Sequence, residues 1–287
     1  MTTGLWRVET GGTVLLARGD SETGPAELLD PTLTVASLLA DPARPLQRLE
    51  SLPRHGLVPA GAVLLAPLDR QPVWAAGVTY PRSRDARREE AADGGDVYDR
   101  VYTARRPELF AKAAAGDAVG PGGLLGIRAD SDWDVPEPEL AVVADGSGAV
   151  QALVLGNDMS SRSIEGENPL YLPQAKVYER SCGIGPCLVP VALAPPWAQL
   201  RIGLRIERAG QVQYEDEMEF GTIRRAPGEL LRWLFAAQSI PAGVALLTGT
   251  SLVPPPDFTL AAGDVVTVRC PGLGSLTSPV TTVGVRL

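Results

Sequence analysis

The segment DSDWDVPEPELAVVADGSGAVQALVLGND, from Asp130 to Asp158, holds three carboxylates whose spacing has chemical meaning: Glu137, Glu139 and Asp158. Side chains two apart on a strand share a face, so Glu137 and Glu139 point the same way. Asp145-Gly146-Ser147-Gly148 is a reverse-turn sequence between the apolar runs ELAVVA and AVQALVLG, which predicts a β-hairpin. In its simplest closure Ala144 faces Ala149, Glu139 faces Val154 and Glu137 faces Gly156. Asp158 then lies two residues beyond Glu137's partner, on the glutamates' face. A one-residue slip would turn it to the other face. Three converging carboxylates make a hard-oxygen site suited to a divalent cation that keeps some of its water.

Other chemistries lack their parts. No GxGxxG follows a strand, and there is neither a phosphate-binding loop nor GxSxG. Nucleophilic devices built on an imidazole have only His55 to draw on, and LPRHGLVP reads as a surface loop. CGIGPC spaces Cys182 and Cys187 wrongly for a zinc knuckle or a redox pair, and Cys270 is alone. A carboxylate-bound metal with Lys, Glu and Arg as acid-base and substrate-binding groups remains.

The elements that must carry these groups read as mostly strand. Residues 1–71 form a small, separate amino-terminal unit, with strands at TVLLAR (13–18) and AVLLAPL (62–68) and a short helix at LTVASLLA (33–40). The larger unit, 72–287, opens with a buried strand, PVWAAG. The charged stretch 81–106 reads either as a solvated helix and loop or as a lid, with Gly94-Gly95 allowing motion. In RPELFAKA (106–113) alternation puts Glu108 and Phe110 on one face, so Glu108 lies against a core or pocket or is a surface glutamate at a strand start. Residues 160–190 are rich in Gly and Pro and read as a long irregular connection. A hairpin over 201–220, a helix over 227–240, a strand into a Gly-Thr turn at 245–256, and a turn, strand and turn over 261–280 follow.

The series PELFAK (107–112), EPELAVV (137–143), GNDMSSR (156–162), Lys176, GIGPCLV (183–189), LLTGT (246–250) and AGDVV (262–266) resembles the fumarylacetoacetate hydrolase superfamily, over about residues 72 to 287. The resemblance implies an α+β, mostly β fold: a rolled mixed sheet preceded by a small α/β domain. It implies Mg²⁺ or Mn²⁺ on Glu137, Glu139 and Asp158, a substrate-facing Lys176, and Gly249 and Thr250 at the keto-acid end. YPRSRDAR, VYTARRPELFAKA, RADSDWDVPEPEL and GNDMSSRSIEGENPLYLPQAKVY narrow it to the 2-keto-3-deoxy-pentonate dehydratases. Hydrolytic and decarboxylating relatives carry a His-Glu pair near residues 81–90, where this chain has no histidine. On this reading Lys176 and Glu108 are catalytic, and Arg84, Arg87, Arg106, Ser160 and Arg162 are candidates for binding substrate. An acylpyruvate hydrolase or oxaloacetate-type decarboxylase is the alternative, and a non-enzymatic metal-binding protein a third. Family members assemble, so the resemblance implies a homodimer or homotetramer.

The bulk properties fit a small-molecule site. A net charge of −8 disfavours nucleic-acid or anionic-membrane partners, which need a basic footprint. The first residues, MTTGLWRVETGG, lack the pattern of a signal peptide, and no apolar run approaches a membrane span, so a cytoplasmic location is expected.

Overall fold

The computed structural model describes residues 2–83, 85 and 96–286. Its centre is the hairpin of strands Pro138–Ala144 and Val150–Asp158. Almost every residue of both is buried, because the sheet is covered on both faces and the strands read as continuous apolar runs. Leu140, Val142, Leu153 and Leu155 feed one apolar cluster, while Ala141, Val143, Ala152 and Val154 feed the other.

The register differs from the simplest hairpin. Glu139 lies opposite Gly156 and Ala141 opposite Val154, a displacement of two residues. The turn contributes one, since Asp145 N donates to Ala149 O and Ala144 faces Val150. A bulge beside Val143 contributes the second, and its extra residue is Gln151. Gln151 is buried; its side chain donates to Asp145 Oδ2 at 2.6 Å and its carbonyl accepts from Gln47 Nε2. Two one-residue shifts restore the parity of the strand, so Asp158 stays on the glutamates' face.

Around this hairpin an 11-stranded mixed sheet assembles. On one side Cys182–Pro190 joins it to Thr3–Thr10, Thr13–Asp20, Gly24–Leu29 and Arg54–Leu57. On the other, Val244–Leu247 pairs in parallel with Val73–Gly77, and Glu108–Ala113 forms the edge. A second sheet of five strands contains Arg201–Arg208, Gln211–Glu219, Val265–Cys270, Gly274–Val283 and Leu125–Arg128.

Residues 2–71 are not separate in packing. Leu5 pairs with Leu188, and Leu5, Leu16 and Leu38 share a cluster with Ala141 and Ile184. The segment 160–190 is also more regular than its composition implies. It holds the helices Arg162–Glu167 and Leu172–Lys176, then the fully buried strand Cys182–Pro190. Its glycines let other segments of the chain pack close: a Cβ on Gly185 would meet Pro121 at 3.0 Å. The helix starting at Pro227 stops at Phe235, short of Ile240, and Gly274–Val283 is one ten-residue strand rather than a turn. Gln211–Glu219, the second strand of the hairpin, is mostly exposed. Gly94 and Gly95, proposed as a lid hinge, lie outside the described residues; Asp96–Thr103 is helical.

Candidate metal centre and active site

Asp158 N donates to Glu137 O at 2.9 Å, which sets the two acidic residues opposite each other at the strand ends. Glu137, Glu139 and Asp158 are all buried, and each offers an oxygen within 4.8 Å of the others. Three like charges in one dry spot need compensation. Lys176 Nζ supplies part of it, 2.8 Å from Glu137 Oε2 and 3.3 Å from Asp158 Oδ2. The same ammonium donates to Ser160 Oγ at 2.5 Å, so Ser160 orients the lysine. Arg162 Nη1 holds Glu137 Oε1 at 2.9 Å and lies 3.7 Å from Glu165 Oε2.

Glu139 is treated differently. It accepts a hydrogen bond from Gly249 N. Burial, then the charges of Asp158 and Glu137, hold its pKa well above the usual carboxylate range. Gly249 has φ +95°, and a Cβ there would strike Thr79 Oγ1, which donates to Thr248 O at 2.7 Å. Glycine is therefore required for its N–H to reach Glu139. That N–H serves the carboxylate; Thr250 beside it lines the cavity, and its Oγ1 accepts from Leu252 N.

The cavity in front of the carboxylates encloses about 480 Å³, counting its opening to solvent. Glu108 and Phe110 reach it from the edge strand, as alternation predicted, with Ser83, Glu165, Leu172 and Val253 completing the wall. Glu108 fits only because its neighbour is Gly77: a Cβ there would stand 2.2 Å from Glu108 Oε2. Gly77→Ala should leave Tm nearly unchanged, because the obstacle is the tip of a flexible side chain. Given the catalytic role that the family resemblance implies for Glu108, it should lower kcat by about 10²-fold, the order expected for a misplaced acid-base group. Thermal melts and steady-state kinetics check both.

Arg106 is not part of this arrangement. Its guanidinium stacks 4.5 Å over the Trp233 ring, and the residue does not line the cavity. A run of arginines before a strand does not disclose which of them turns inward. Arg84 and Arg87 lie outside the described residues. Two buried charged residues were not foreseen. Glu165, one turn along the helix that Arg162 opens, faces the cavity. Lys112 reaches Asp158 from behind at 2.5 Å. Strand alternation alone would have put Lys112 in the cavity beside Phe110, so no local signal disclosed its position behind Asp158.

The donor set fits a hard divalent cation. All three groups are carboxylates, each with an oxygen within 4.8 Å of the others. Cation binding must displace the proton that burial favours on Glu139. Apparent Mg²⁺ affinity should therefore rise with pH, by up to about tenfold per unit while Glu139 is protonated. Calorimetry in buffers of different ionisation enthalpy should show proton release.

Fold and site together define a cluster of three carboxylates suited to a divalent cation on a mixed β scaffold, with a lysine and a glutamate lining the same cavity. The model of the fumarylacetoacetate (FAA) hydrolase C-terminal region matches residues 101–281, and the chain belongs to that family. A probable 2-keto-3-deoxyxylonate dehydratase of Haloferax volcanii is 48% identical over 217 residues, 76% of this chain and 74% of that protein. A 2-dehydro-3-deoxy-D-arabinonate dehydratase of Saccharolobus solfataricus is 39% identical over 217 residues, 75% of this chain and 73% of that one. A solved 2-keto-3-deoxy-D-arabinonate dehydratase, complexed with magnesium and 2,5-dioxopentanoate, superposes with a TM-score of 0.83. It is 31% identical, and the match covers 99% of each chain. Among the described residues no helix is long and apolar enough to cross a membrane.

Proposed function

We propose that this protein is a Mg²⁺- or Mn²⁺-dependent hydro-lyase that converts a 2-keto-3-deoxy-pentonate to 2-oxoglutarate semialdehyde and water. The observation that carries the reading is the convergence of three buried carboxylates, Lys176 and Glu108 on one cavity. The names of the relatives, and the ligands of the solved one, support it. Glu137, Glu139 and Asp158 would hold the cation, which when bound acts as a Lewis acid toward the 2-keto acid and acidifies its C3 protons.

The chain's own groups then divide the proton traffic. Lys176 is held by Glu137 and Asp158; neutralising those carboxylates loosens its hold on a proton and suits it to remove one from C3. Glu108, which lines the same cavity, protonates the C4 hydroxyl as it leaves as water. A proton shift from C5 completes the aldehyde. Thr250 is assigned to the keto-acid end, and Arg162 and Glu165, which also line the cavity, to the hydroxylated tail.

The purified protein with Mg²⁺ should form semialdehyde from 2-keto-3-deoxy-arabinonate or -xylonate, read through a coupled dehydrogenase. Faster pyruvate release from acylpyruvates would sink the assignment in favour of a hydrolase.

A further inference from the structure

The edge strand Glu108–Ala113 carries an irregularity with a consequence for the site. Between the pairs Trp74–Ala111 and Val73–Ala113 it has one residue more than its neighbour, and that residue is Lys112. A bulge of this kind re-aims a side chain. Glu108 and Phe110 line the cavity, whereas Lys112 borders an outer groove with Tyr178, Ser181 and Cys182 and reaches the carboxylates from behind.

Its ammonium is fully buried and engages groups from two elements. It stands 2.5 Å from Asp158 Oδ1 and donates to Met159 O at 2.9 Å, both at the end of the hairpin strand. It also donates to Lys176 O, at the end of the helix Leu172–Lys176. The Tyr178 ring lies 5.7 Å from Nζ and backs it. Asp158 thus has a lysine on each oxygen, Lys112 at Oδ1 and Lys176 at Oδ2, which fixes the plane of the carboxylate. A five-residue helix has too few internal hydrogen bonds to hold its own end in place, and its last carbonyls need outside donors.

We infer that Lys112 is a positioning residue: it ties the Lys176 helix end to the Asp158 strand end and sets the angle of Asp158 and the reach of Lys176. The rival role is simple charge compensation for a buried carboxylate. The two differ in what removing the ammonium does. A counter-charge opposes a metal cation, so its loss would tighten metal binding and leave the chemistry intact. A strut's loss disorders Asp158 and Lys176 together.

The test compares Lys112→Met, which keeps chain length and loses all donors, with Lys112→Gln, which keeps a donor for the carbonyls. Mn²⁺ is the probe, read by electron paramagnetic resonance and calorimetry on the full chain. The inference expects an altered Mn²⁺ spectrum in Lys112→Met, and, resting here on the proposed dehydration, kcat at saturating metal about 10–100-fold lower at nearly constant KM. Lys112→Gln should recover part of both. A wild-type spectrum and wild-type kcat with tighter Mn²⁺ binding would overturn it. Should Lys112→Met fail to fold even with Mn²⁺, the Lys112→Gln spectrum decides. Should wild type dehydrate no 2-keto-3-deoxy acid, the proposed reaction fails while the Mn²⁺ spectra still decide the role of Lys112.

Discussion

Glu139→Gln should fold, and should lose on the order of 10³-fold in kcat/KM and most of its divalent-cation binding. Lewis-acid stabilisation is worth several kcal/mol, and each 1.36 kcal/mol is a factor of about ten, which sets the scale. Glutamine keeps the shape and still accepts from Gly249 N, so the backbone turn at Gly249 persists. The same substitution should change the pH dependence of stability. Glu139 has its folded pKa raised above the ordinary 4.5 by burial and by Asp158 and Glu137. Its contribution is therefore fully present below about 4.5 and is lost as pH rises through the folded value. The wild-type apo protein should lose stability with rising pH in that window, and saturating Mg²⁺ should reverse the loss. Glu139→Gln should show a flatter apo curve and almost no Mg²⁺ increment in Tm. Retained metal-dependent turnover would remove Glu139 from the centre.

Lys176→Met should have the other large effect, and it separates chemistry from structure. Without Lys176, Glu137 keeps Arg162 and Asp158 keeps Lys112, but the charge between their facing oxygens is gone. Removing one partner of a buried ion pair destabilises by about 3–5 kcal/mol, because the charge left behind stays desolvated. The apo protein should melt well below wild type. Mg²⁺ supplies charge at the same place, so its stabilising increment should exceed that of wild type. Turnover should not return with the metal: kcat should stay about 10²–10⁴-fold down at saturating Mg²⁺, the scale of a lost general base. Melts with and without Mg²⁺, alongside kinetics, make the comparison. Activity restored by Mg²⁺ alone would reduce Lys176 to a counter-charge.

Much of this site could be read from the chain itself, for a local reason. Glu137 and Glu139 share a face because strand periodicity is two, and DGSG closes a hairpin whatever surrounds it. Glu108 and Phe110 share the cavity by the same alternation. Motif resemblance then attached Lys176, Gly249 and Thr250 to the carboxylates across distances no local rule spans.

What the tertiary structure decided is the set of features that break periodicity. The bulge at Gln151 moved the hairpin pairing by a residue, and only its combination with the five-residue turn kept Asp158 inward. The bulge at Lys112 took that lysine out of the cavity's alternation and placed it behind Asp158. The segment 182–190 looked irregular because Gly and Pro disfavour strands, yet neighbours on both sides supply the pairing that propensity does not. Arg106 and Arg162 look alike as residue types. Packing sent one onto Trp233 and the other onto Glu137. Spacing thus pointed to a carboxylate-bound cation, and the motif resemblance to the reaction expected there. Long-range contacts decided which charges meet, since a buried ion pair depends on three-dimensional neighbours that sequence order does not encode.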